Sequence, residues 1–468
     1  MNLRSICILS LATATLIAPK LHASNNLEQV SVEDSVAQEV DDDQSEIREN
    51  PVIEITDDDS GIVVPKFINS SRNFIQMNGA DWSRVAKALS NARRNPFSIV
   101  HIGDSHLQAD ISSGTVREFM QYDFGNAGRG LVVPLKMTGT NQPSDYTITS
   151  TRSWIPAKLM RGPWPHTMGF TGTSIRPSNR SSEITIATRE DLDYNPFSSI
   201  TVFHNGRINV TGVKDATGKS ISFKPNYSKD YTHLDLMKKT TSVTIKFETE
   251  GDLTFFGASL SGNRPGVFYH TIGNNGATFA TYNNIGTLGQ GINPLQPDLI
   301  IISLGTNEAF GRFNAKAFMD GVDKLVNNIR TANPGIPLLI VTPMECQRQA
   351  YKTVNKKVRK KVKVPVRNQK GKRVRYKTQM KTVTEKRKVA SGYAANPNVA
   401  SIRESLITYG REHKIAVYDW YDVAGGTGAS TKWIGEGLFG RDRVHHTSKG
   451  YRLQGYMLYK ALMGALSK

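Results

Sequence analysis

Three short segments of the sequence carry polar side chains that could together supply a serine nucleophile, a histidine base and an amide donor. The first, Gly103-Asp104-Ser105, directly follows the apolar run FSIVHI and precedes a helical pattern. A tight turn between a strand and a helix exposes a serine hydroxyl and points the serine N–H into the same space. Ser105 is therefore a candidate nucleophile, while Gly-Asp-Ser is also an ordinary turn that starts a helix.

The second segment places an amide after another apolar strand. Asn307 follows the run LIIISL within Leu304-Gly305-Thr306-Asn307-Glu308. Ligand chemistry on open parallel sheets takes place at the carboxyl ends of the strands, so an amide there can point into a cleft. Gly-Thr-Asn is equally an ordinary loop sequence.

The third segment, RDRVHHTSKGY, combines an aspartate with two histidines. Asp442 lies three residues before His445, a spacing that lets a carboxylate orient an imidazole, which then acts as a base toward a serine. His446 could be the base instead. A histidine pair with an aspartate is also typical of a metal site, but no third cluster of ligands has suitable spacing, so we expect no metal.

The elements around these segments predict an α/β protein with an antiparallel insertion. Buried-strand patterns and helical patterns alternate before residue 145 and after residue 262, with helices expected over Asp81–Asn91, Thr115–Phe124, Ala315–Thr331 and Val399–Arg411 and a last helix after Ser448. Between them, short alternating runs such as EITIAT and SVTIKFE are separated by Gly, Asn, Asp and Pro. This change of pattern predicts an antiparallel β-sandwich inserted into the α/β domain.

The size and the amino terminus indicate an exported protein of more than one folded unit. The chain has 468 residues, of which 38% are hydrophobic and 21% are charged, which excludes collagen-like and wholly disordered classes. Residues 1–23 have a basic start, a short apolar stretch and a small residue before a polar segment, which predicts a signal peptide. We therefore expect a location in the bacterial periplasm or cell envelope.

Two segments of opposite charge flank the body of the chain. Residues 24–60 hold thirteen acidic residues against Arg48 alone, a net charge of −12, which predicts a disordered acidic leader. Residues 351–390 hold seventeen Lys and Arg against Glu385 alone, a net charge of +16, with valines alternating around a polar turn. That pattern predicts a protruding two-stranded β-ribbon with one basic face.

Several partners suit such a ribbon. An anionic envelope polymer or a membrane surface would match its charge, whereas the export signal argues against nucleic acid. The ribbon could also fold against the acidic leader of its own chain, or be a solvated insertion with no dedicated ligand.

Taken in order, the segments resemble the motifs of the SGNH hydrolase family, also called GDSL-like esterases. Gly103-Asp104-Ser105 matches the first block, with His106 in place of the usual leucine. The resemblance implies that Ser105 is the nucleophile, with Asp442 and His445 completing the catalytic triad. It further implies an oxyanion hole formed by the N–H groups of Ser105 and Gly276, the latter within Ile272–Ala277, and by the Asn307 side chain.

A subgroup of this family, the bacterial peptidoglycan O-acetylesterases, is similar in further phrases: FGNAGRGLVVP, FYHTIGNNGATF and VYDWYDVAGG. The resemblance implies a three-layer, flavodoxin-like α/β hydrolase domain over 61–144 and 263–468, interrupted by a jelly-roll-like β-sandwich over 145–262 that resembles a carbohydrate-binding module. It also implies removal of the O-acetyl group from the C6 hydroxyl of muramic acid through an acetyl-enzyme, without a cofactor.

Trp433 is the sequence-based candidate for substrate binding. It lies nine positions before Asp442 in a glycine-rich loop, where an indole could stack on a sugar ring or could equally pack on its own domain. Two other functions stay open at this point. One is an SGNH esterase for another acetylated extracellular polysaccharide or a lipid, and the other is a non-catalytic protein that binds envelope glycan.

Overall fold

The protein is described by a computed structural model over residues 61–189 and 196–467, which form nineteen strands and ten α-helices. The predicted signal peptide and acidic leader lie outside these residues. In chain order the strands are β1 Ile75–Gln76, β2 Phe97–Gly103, β3 Gly130–Val132, β4 Tyr146–Thr149, β5 Trp154–Lys158, β6 Thr173–Pro177, β7 Ser181–Thr188, β8 Phe197–Asn205, β9 Ile208–Asp215, β10 Phe223–Tyr227, β11 Tyr231–Thr240, β12 Ser242–Thr249, β13 Thr254–Ser261, β14 Val267–Gly273, β15 Leu299–Ser303, β16 Leu338–Val341, β17 Gln347–Arg367, β18 Arg373–Ala395 and β19 Ala416–Tyr418. The helices are α1 Ser83–Ser90, α2 Ser105–Gln108, α3 Ile111–Phe124, α4 Phe279–Tyr282, α5 Leu288–Ile292, α6 Ala315–Ala332, α7 Pro397–Glu412, α8 Trp420–Val423, α9 Ala429–Gly435 and α10 Ser448–Leu466.

The central sheet has the order β1-β19-β16-β15-β2-β14. Five of its strands run parallel to one another: β2, β14, β15, β16 and β19. The sixth strand, β1, is antiparallel to its neighbour β19. Numbered along the chain, the parallel strands have the order 2-1-3-4-5, which is the flavodoxin-like order. The α/β prediction is therefore confirmed.

These strands form because both of their faces are covered. Every residue of β2 and β16 is buried, as expected for parallel strands with helices on both sides. The helices form two groups: α3 packs on α10 and α10 on α1, while α6 packs on α4, α5 and α7. The chain first passes from β2 to β14 and later returns past β2 to β15. Because both connections are right-handed, these moves in opposite directions place the two groups of helices on opposite faces of the sheet.

The helices predicted by periodicity are present with shifted ends. For example, α6 ends one residue beyond the predicted range, and α3 begins four residues before it. Asn314 caps α6 by accepting a hydrogen bond from the N–H of Ala317, and Thr447 caps α10 in the same way from Gly450. None of the helices in the described residues is long and apolar enough to cross a membrane.

Two further sheets are antiparallel, one with the order β10-β11-β8-β13-β6-β5 and the other with the order β4-β7-β12-β9. Inward side chains of both sheets, such as Ile186 of β7 and Val202 of β8, belong to one buried cluster, so the sheets pack face to face. The strand β3 pairs with β13, joining the first of these sheets to the chain that follows α3. The predicted boundaries at 144 and 262 remain predictions.

The basic ribbon exists as the antiparallel pair β17 and β18, which is longer than the predicted segment at both ends. At about 3.3 Å per residue, the 21 residues of β17 span about 70 Å. The prediction of a single basic face is wrong. In this register Lys357 and Lys363 lie on one face and Lys356 and Lys377 on the other, because lysines occupy both odd and even positions of each strand.

Candidate active site

Ser105 begins helix α2 two residues after strand β2 ends, at the carboxyl edge of the parallel sheet. Asp104 caps this short helix, because its carboxylate accepts a hydrogen bond from the N–H of His106 at 3.0 Å. Gly103 makes the tight approach possible: a Cβ there would lie 2.6 Å from Leu107 Cδ1 and 2.8 Å from the carbonyl oxygen of Ser303. The turn thus holds the Ser105 hydroxyl at the end of the strand.

Ser105, His445 and Asp442 form a continuous hydrogen-bonded chain. The Ser105 Oγ lies 2.7 Å from Nε2 of His445, and Nδ1 of the same ring lies 2.5 Å from Oδ2 of Asp442. The other carboxylate oxygen of Asp442 accepts hydrogen bonds from the N–H groups of Val444 and His445, both at 3.0 Å. The aspartate is therefore fixed by its own loop while it orients the imidazole, an arrangement that suits a serine and its general base.

The two ionisable partners of Ser105 have shifted acidities. Burial alone would raise the pKa of Asp442, but the hydrogen bond and charge of His445 outweigh it and bring the pKa to about 2. Burial alone would lower the pKa of His445, but its hydrogen bond to Asp442 and the charges of Asp442 and Asp104 raise it above 6.5. The pair therefore stabilises a protonated imidazole, the form that follows proton transfer from serine.

Asn307 lies next to Asp104, and Gly276 lies on the loop that Asn307 contacts at Ala277. Gly276 has a backbone φ of +78°, in the left-handed region that favours glycine, and within the described residues its N–H has no hydrogen-bond partner. The Asn307 amide donates to the carbonyl oxygen of Ala277 at 3.0 Å and lies 3.3 Å from Oδ2 of Asp104. Asn307 thus connects the residue before Ser105 to the residue after Gly276, and its longer bond to Asp104 is the one that an oxyanion could replace.

Two carboxyl groups next to Asn307, the buried Asp104 and the half-buried Glu308, were not predicted. Burial raises the pKa of Asp104 to about 6, although the N–H of His106 and the charge of His445 oppose this. Burial also raises the pKa of Glu308 to about 7. The N–H of Phe279, which donates a hydrogen bond to Oε1 at 2.9 Å, acts in the opposite direction and lowers this pKa. Sequence reasoning could have noted Asp104, because aspartate before a helix is a preferred cap.

Other supporting residues came from no sequence pattern. Gln108 accepts a hydrogen bond from the N–H of Asn275 at 2.7 Å, which fixes the loop that carries Gly276. Arg443, between the predicted aspartate and histidine, has a left-handed φ of +62° and binds the base of the ribbon. Both contacts join segments distant in sequence.

His446 does not contact Ser105. Its ring lies against the rings of Trp433, Phe439, Tyr451 and His106, and burial lowers its pKa to about 3. The geometry therefore favours His445 as the base. Within residues 61–189 and 196–467, no group of three or more His, Cys, Asp or Glu side chains is arranged to hold a metal ion.

Trp433 is not a sugar-stacking residue, and that prediction is wrong. Its side chain is fully buried, donates a hydrogen bond to the carbonyl oxygen of Ala424 at 2.9 Å and packs at a right angle on Trp420. The physical reason is that its loop forms helix α9, whose inner side faces the core. The indole instead packs against His446, and the two ring centres are 4.9 Å apart. It therefore supports the residue that directly follows His445.

A protein-family model matches part of the chain that contributes to this site. Residues 242–453 match the model of the GDSL-like Lipase/Acylhydrolase family. The chain contains a GDSL-like acylhydrolase domain. The match covers Asn307, Asp442 and His445, and it extends across the ribbon. Ser105 lies before it in sequence, and the fold brings this serine to the matched residues of the GDSL-like domain.

Solved structures extend the likeness beyond the GDSL-like domain. A structure of a peptidoglycan O-acetylesterase has a TM-score of 0.63 at 18% identity and covers 84% of this chain and 99% of its own. At that identity the likeness establishes the fold. A lipase/acylhydrolase from Enterococcus faecalis has a TM-score of 0.27 at 15% identity and covers 43% of this chain and 77% of its own. The comparison with curated proteins gave no match.

The domain and the site together make the protein an esterase of the acylhydrolase type. The family supplies the class of reaction, and the hydrogen-bonded Ser105, His445 and Asp442 supply residues that can perform it.

Proposed function

We propose that the protein removes O-acetyl groups from a cell-envelope glycan, and that its substrate is the C6 O-acetyl group of muramic acid in peptidoglycan. The hydrogen-bonded chain from Ser105 through His445 to Asp442 carries the proposal. The O-acetylesterase whose structure covers 84% of this chain supports the choice of substrate.

The proposed reaction has two steps. In the first, His445 takes the proton of Ser105 while the serine oxygen forms a bond to the acetyl carbon. The bond from that carbon to the sugar oxygen then breaks, and His445 gives its proton to this oxygen. In the second step His445 takes a proton from water, the hydroxide attacks the acetyl-enzyme, and acetate leaves as Ser105 regains a proton.

The developing negative charge on the carbonyl oxygen needs hydrogen-bond donors. We propose that the N–H groups of Ser105 and Gly276 and the amide of Asn307 donate to it. Gly276 suits this role because its N–H has no other acceptor in the described chain. The chemistry requires no cofactor.

We also propose that the two antiparallel sheets form an inserted sandwich that binds the glycan, in the manner of a carbohydrate-binding module. The loop from β5 to β6 approaches the active site, since Met160 Cε would lie 3.5 Å from a Cβ on Gly276. The signal-like residues 1–23 support export to the periplasm or cell envelope, where such a glycan occurs.

Acetate release tests the proposal. The protein, its Ser105→Ala variant and a control Ser90→Ala variant are incubated with O-acetylated peptidoglycan and with an acetylated plant polysaccharide. Ser90 is an exposed serine at the end of α1, and its hydroxyl donates a hydrogen bond to the carbonyl oxygen of Lys87. We expect release from peptidoglycan that Ser105→Ala abolishes and Ser90→Ala preserves.

Two results would contradict the proposal. Serine-dependent release from the plant polysaccharide alone would move the substrate to another acetylated polymer while keeping the mechanism. No release from either polymer, with the glycan still bound, would make the protein a non-catalytic binding protein.

A further inference from the structure

The ribbon formed by β17 and β18 carries positive charge that its own chain does not neutralise. Of the seventeen Lys and Arg between Tyr351 and Ala390, two lie beside the single carboxylate of the segment: Lys360 forms an ion pair with Glu385, and Arg387 lies 3.6 Å from it. Lys356 lies directly opposite Glu385 in the register, and it and the other fourteen form no ion pair with a carboxylate of the described residues. A density of like charge this high is costly for the ribbon alone and is relieved by an anionic partner.

The two faces of the ribbon differ in their apolar content and not in their charge. One face alternates valines, such as the directly paired Val358 and Val383, with cations. The opposite face has mostly threonines, with Met380 and Tyr376, in place of the valines, and it bears cations without any acidic residue. The cations of this second face are Lys357, Arg359, Lys361, Lys363, Lys386 and Lys388.

The base of the ribbon is attached to the loop that carries Asp442 and His445. Arg443 Nη1 donates to the side-chain oxygen of Gln347 at 2.9 Å, and the N–H of Gln347 donates to the carbonyl oxygen of Arg443 at 3.0 Å. The guanidinium group of Arg443 also lies 4.3 Å from the ring centre of Tyr393 on β18. Both strands of the ribbon are therefore held at the catalytic loop.

This attachment places the ribbon at the edge of the sheet where Ser105 lies. Strand β17 begins six residues after the end of β16, whose carboxyl end shares that edge with β2. A polymer lying along the ribbon thus extends from the active site.

We propose that the ribbon binds the carboxylate groups of the polymer that carries the acetyl ester, namely the acidic peptides attached to the glycan strands. The inference rests on the proposed function and deepens it, because it selects a glycan bearing peptide carboxylates over a neutral acetylated polysaccharide. Lysines and arginines on one face recur at about 6.8 Å along a strand, so several carboxylates of a flexible polymer can be engaged together.

The observations favour a polymer over a membrane surface. A flat membrane contacts one face of a ribbon, whereas both faces are basic. The turn at the tip is Asn368-Gln369-Lys370-Gly371-Lys372, which has no apolar side chain to insert into lipid. A strand-like polymer can instead contact both faces.

Binding to insoluble peptidoglycan tests this inference without catalysis. In the Ser105→Ala background, five ribbon lysines are changed to glutamine, and a matched variant loses five exposed lysines outside the ribbon. The ribbon set is Lys357, Lys361, Lys363, Lys386 and Lys388, and the control set, which lies outside both the ribbon and the antiparallel sheets, is Lys66, Lys87, Lys316, Lys324 and Lys414. Co-sedimentation is measured with peptidoglycan freed of phosphate polymers by hydrofluoric acid, with the same material after amidation of its carboxylates, and with vesicles of anionic lipid.

We expect the ribbon variant to bind peptidoglycan at least about tenfold more weakly than the parent does. The control variant should bind as the parent does, and binding by both the parent and the control variant should weaken steeply with added salt. Amidation should weaken the parent to the level of the ribbon variant. Equal binding by both variants, or unchanged binding after amidation, would overturn the inference. Ribbon-dependent binding to vesicles but not to peptidoglycan would overturn it in favour of a membrane surface.

Failure of this inference is distinguishable from failure of the proposed function. The same substitutions in the Ser105 parent are assayed for acetate release from peptidoglycan and from a small soluble acetyl ester. Loss of release from the polymer with unchanged hydrolysis of the small ester supports the docking role. Absence of serine-dependent release from the parent contradicts the proposed function, whatever the binding result.

Discussion

Gln347 and Arg443 hold each other by two hydrogen bonds, one from the guanidinium group of Arg443 at 2.9 Å and one from the backbone N–H of Gln347 at 3.0 Å. The first residue begins the basic ribbon, and the second lies between Asp442 and His445. The pair therefore connects a 21-residue strand to the loop of the candidate catalytic base.

A double-mutant cycle measures this connection. We expect Arg443→Ala and Gln347→Ala each to lower the free energy of unfolding, and their effects to be non-additive by about 0.5–2 kcal/mol, since each removes the same side-chain hydrogen bond. Urea unfolding of the two single variants and the double variant gives the coupling. Arg348→Ala, at an exposed neighbour in β17, is the control. Additive effects would show that the contact does not couple the ribbon to the loop.

The pH dependence of hydrolysis should report His445. Only the neutral imidazole can accept the proton of Ser105, and Asp442 raises the pKa of His445 above the ordinary value of a histidine. We therefore expect kcat/KM to fall on acidification, with a midpoint at higher pH than that of an ordinary histidine. In Asp442→Asn the negative charge that raises the pKa of His445 is removed, and burial then lowers this pKa. The midpoint of the pH profile should therefore move to lower pH, while kcat falls by about 10²- to 10⁴-fold.

The measurement is a pH profile of hydrolysis of a small acetyl ester. Asp320→Asn, at an exposed carboxylate of α6, is the matched control and should leave the profile unchanged. A midpoint that stays in place in Asp442→Asn would mean that the acidic limb belongs to another group, such as Asp104 or Glu308, whose pKa values are about 6 and about 7.

Removal of the Asn307 amide should affect the rate more than substrate binding. We expect Asn307→Ala to lower kcat by about 10²- to 10³-fold with a small change in KM, because an oxyanion donor acts on the transition state. Asn314→Ala is a suitable control, since it removes the cap of α6 and should cost about 1 kcal/mol of stability at full activity. A kcat within threefold of the parent would exclude Asn307 from the oxyanion hole.

Trp433 should contribute to stability and not to sugar recognition. We expect Trp433→Ala to lower the free energy of unfolding by about 3–5 kcal/mol, as for other fully buried aromatic residues. The comparison variant Phe74→Ala, at an aromatic side chain that is 46% exposed, should cost far less. Thermal and urea unfolding provide the values. If Trp433→Ala left stability unchanged but weakened glycan binding, the buried placement of the indole would be contradicted.

The sequence by itself determined the elements and the chemistry of the site. Apolar runs such as FSIVHI and LIIIS encode buried parallel strands, because only covered strands tolerate apolar residues on both faces. The turn at Ser105 and the spacing from Asp442 to His445 are local features, so their side chains could be named from neighbouring residues. The ribbon was predicted for the same reason, since strand alternation and its turn are local.

Only the tertiary structure decided how these pieces meet. The 2.7 Å contact between Ser105 and His445 joins residues 340 positions apart, and the bond from Asn307 to Asp104 joins residues 203 apart. Burial likewise depends on distant neighbours, which is why Trp433 was misassigned and why the raised pKa values of Asp104 and Glu308 went unpredicted. Residue type and spacing specify what a side chain can do, whereas its desolvation and its partners depend on segments that the fold brings from elsewhere in the chain.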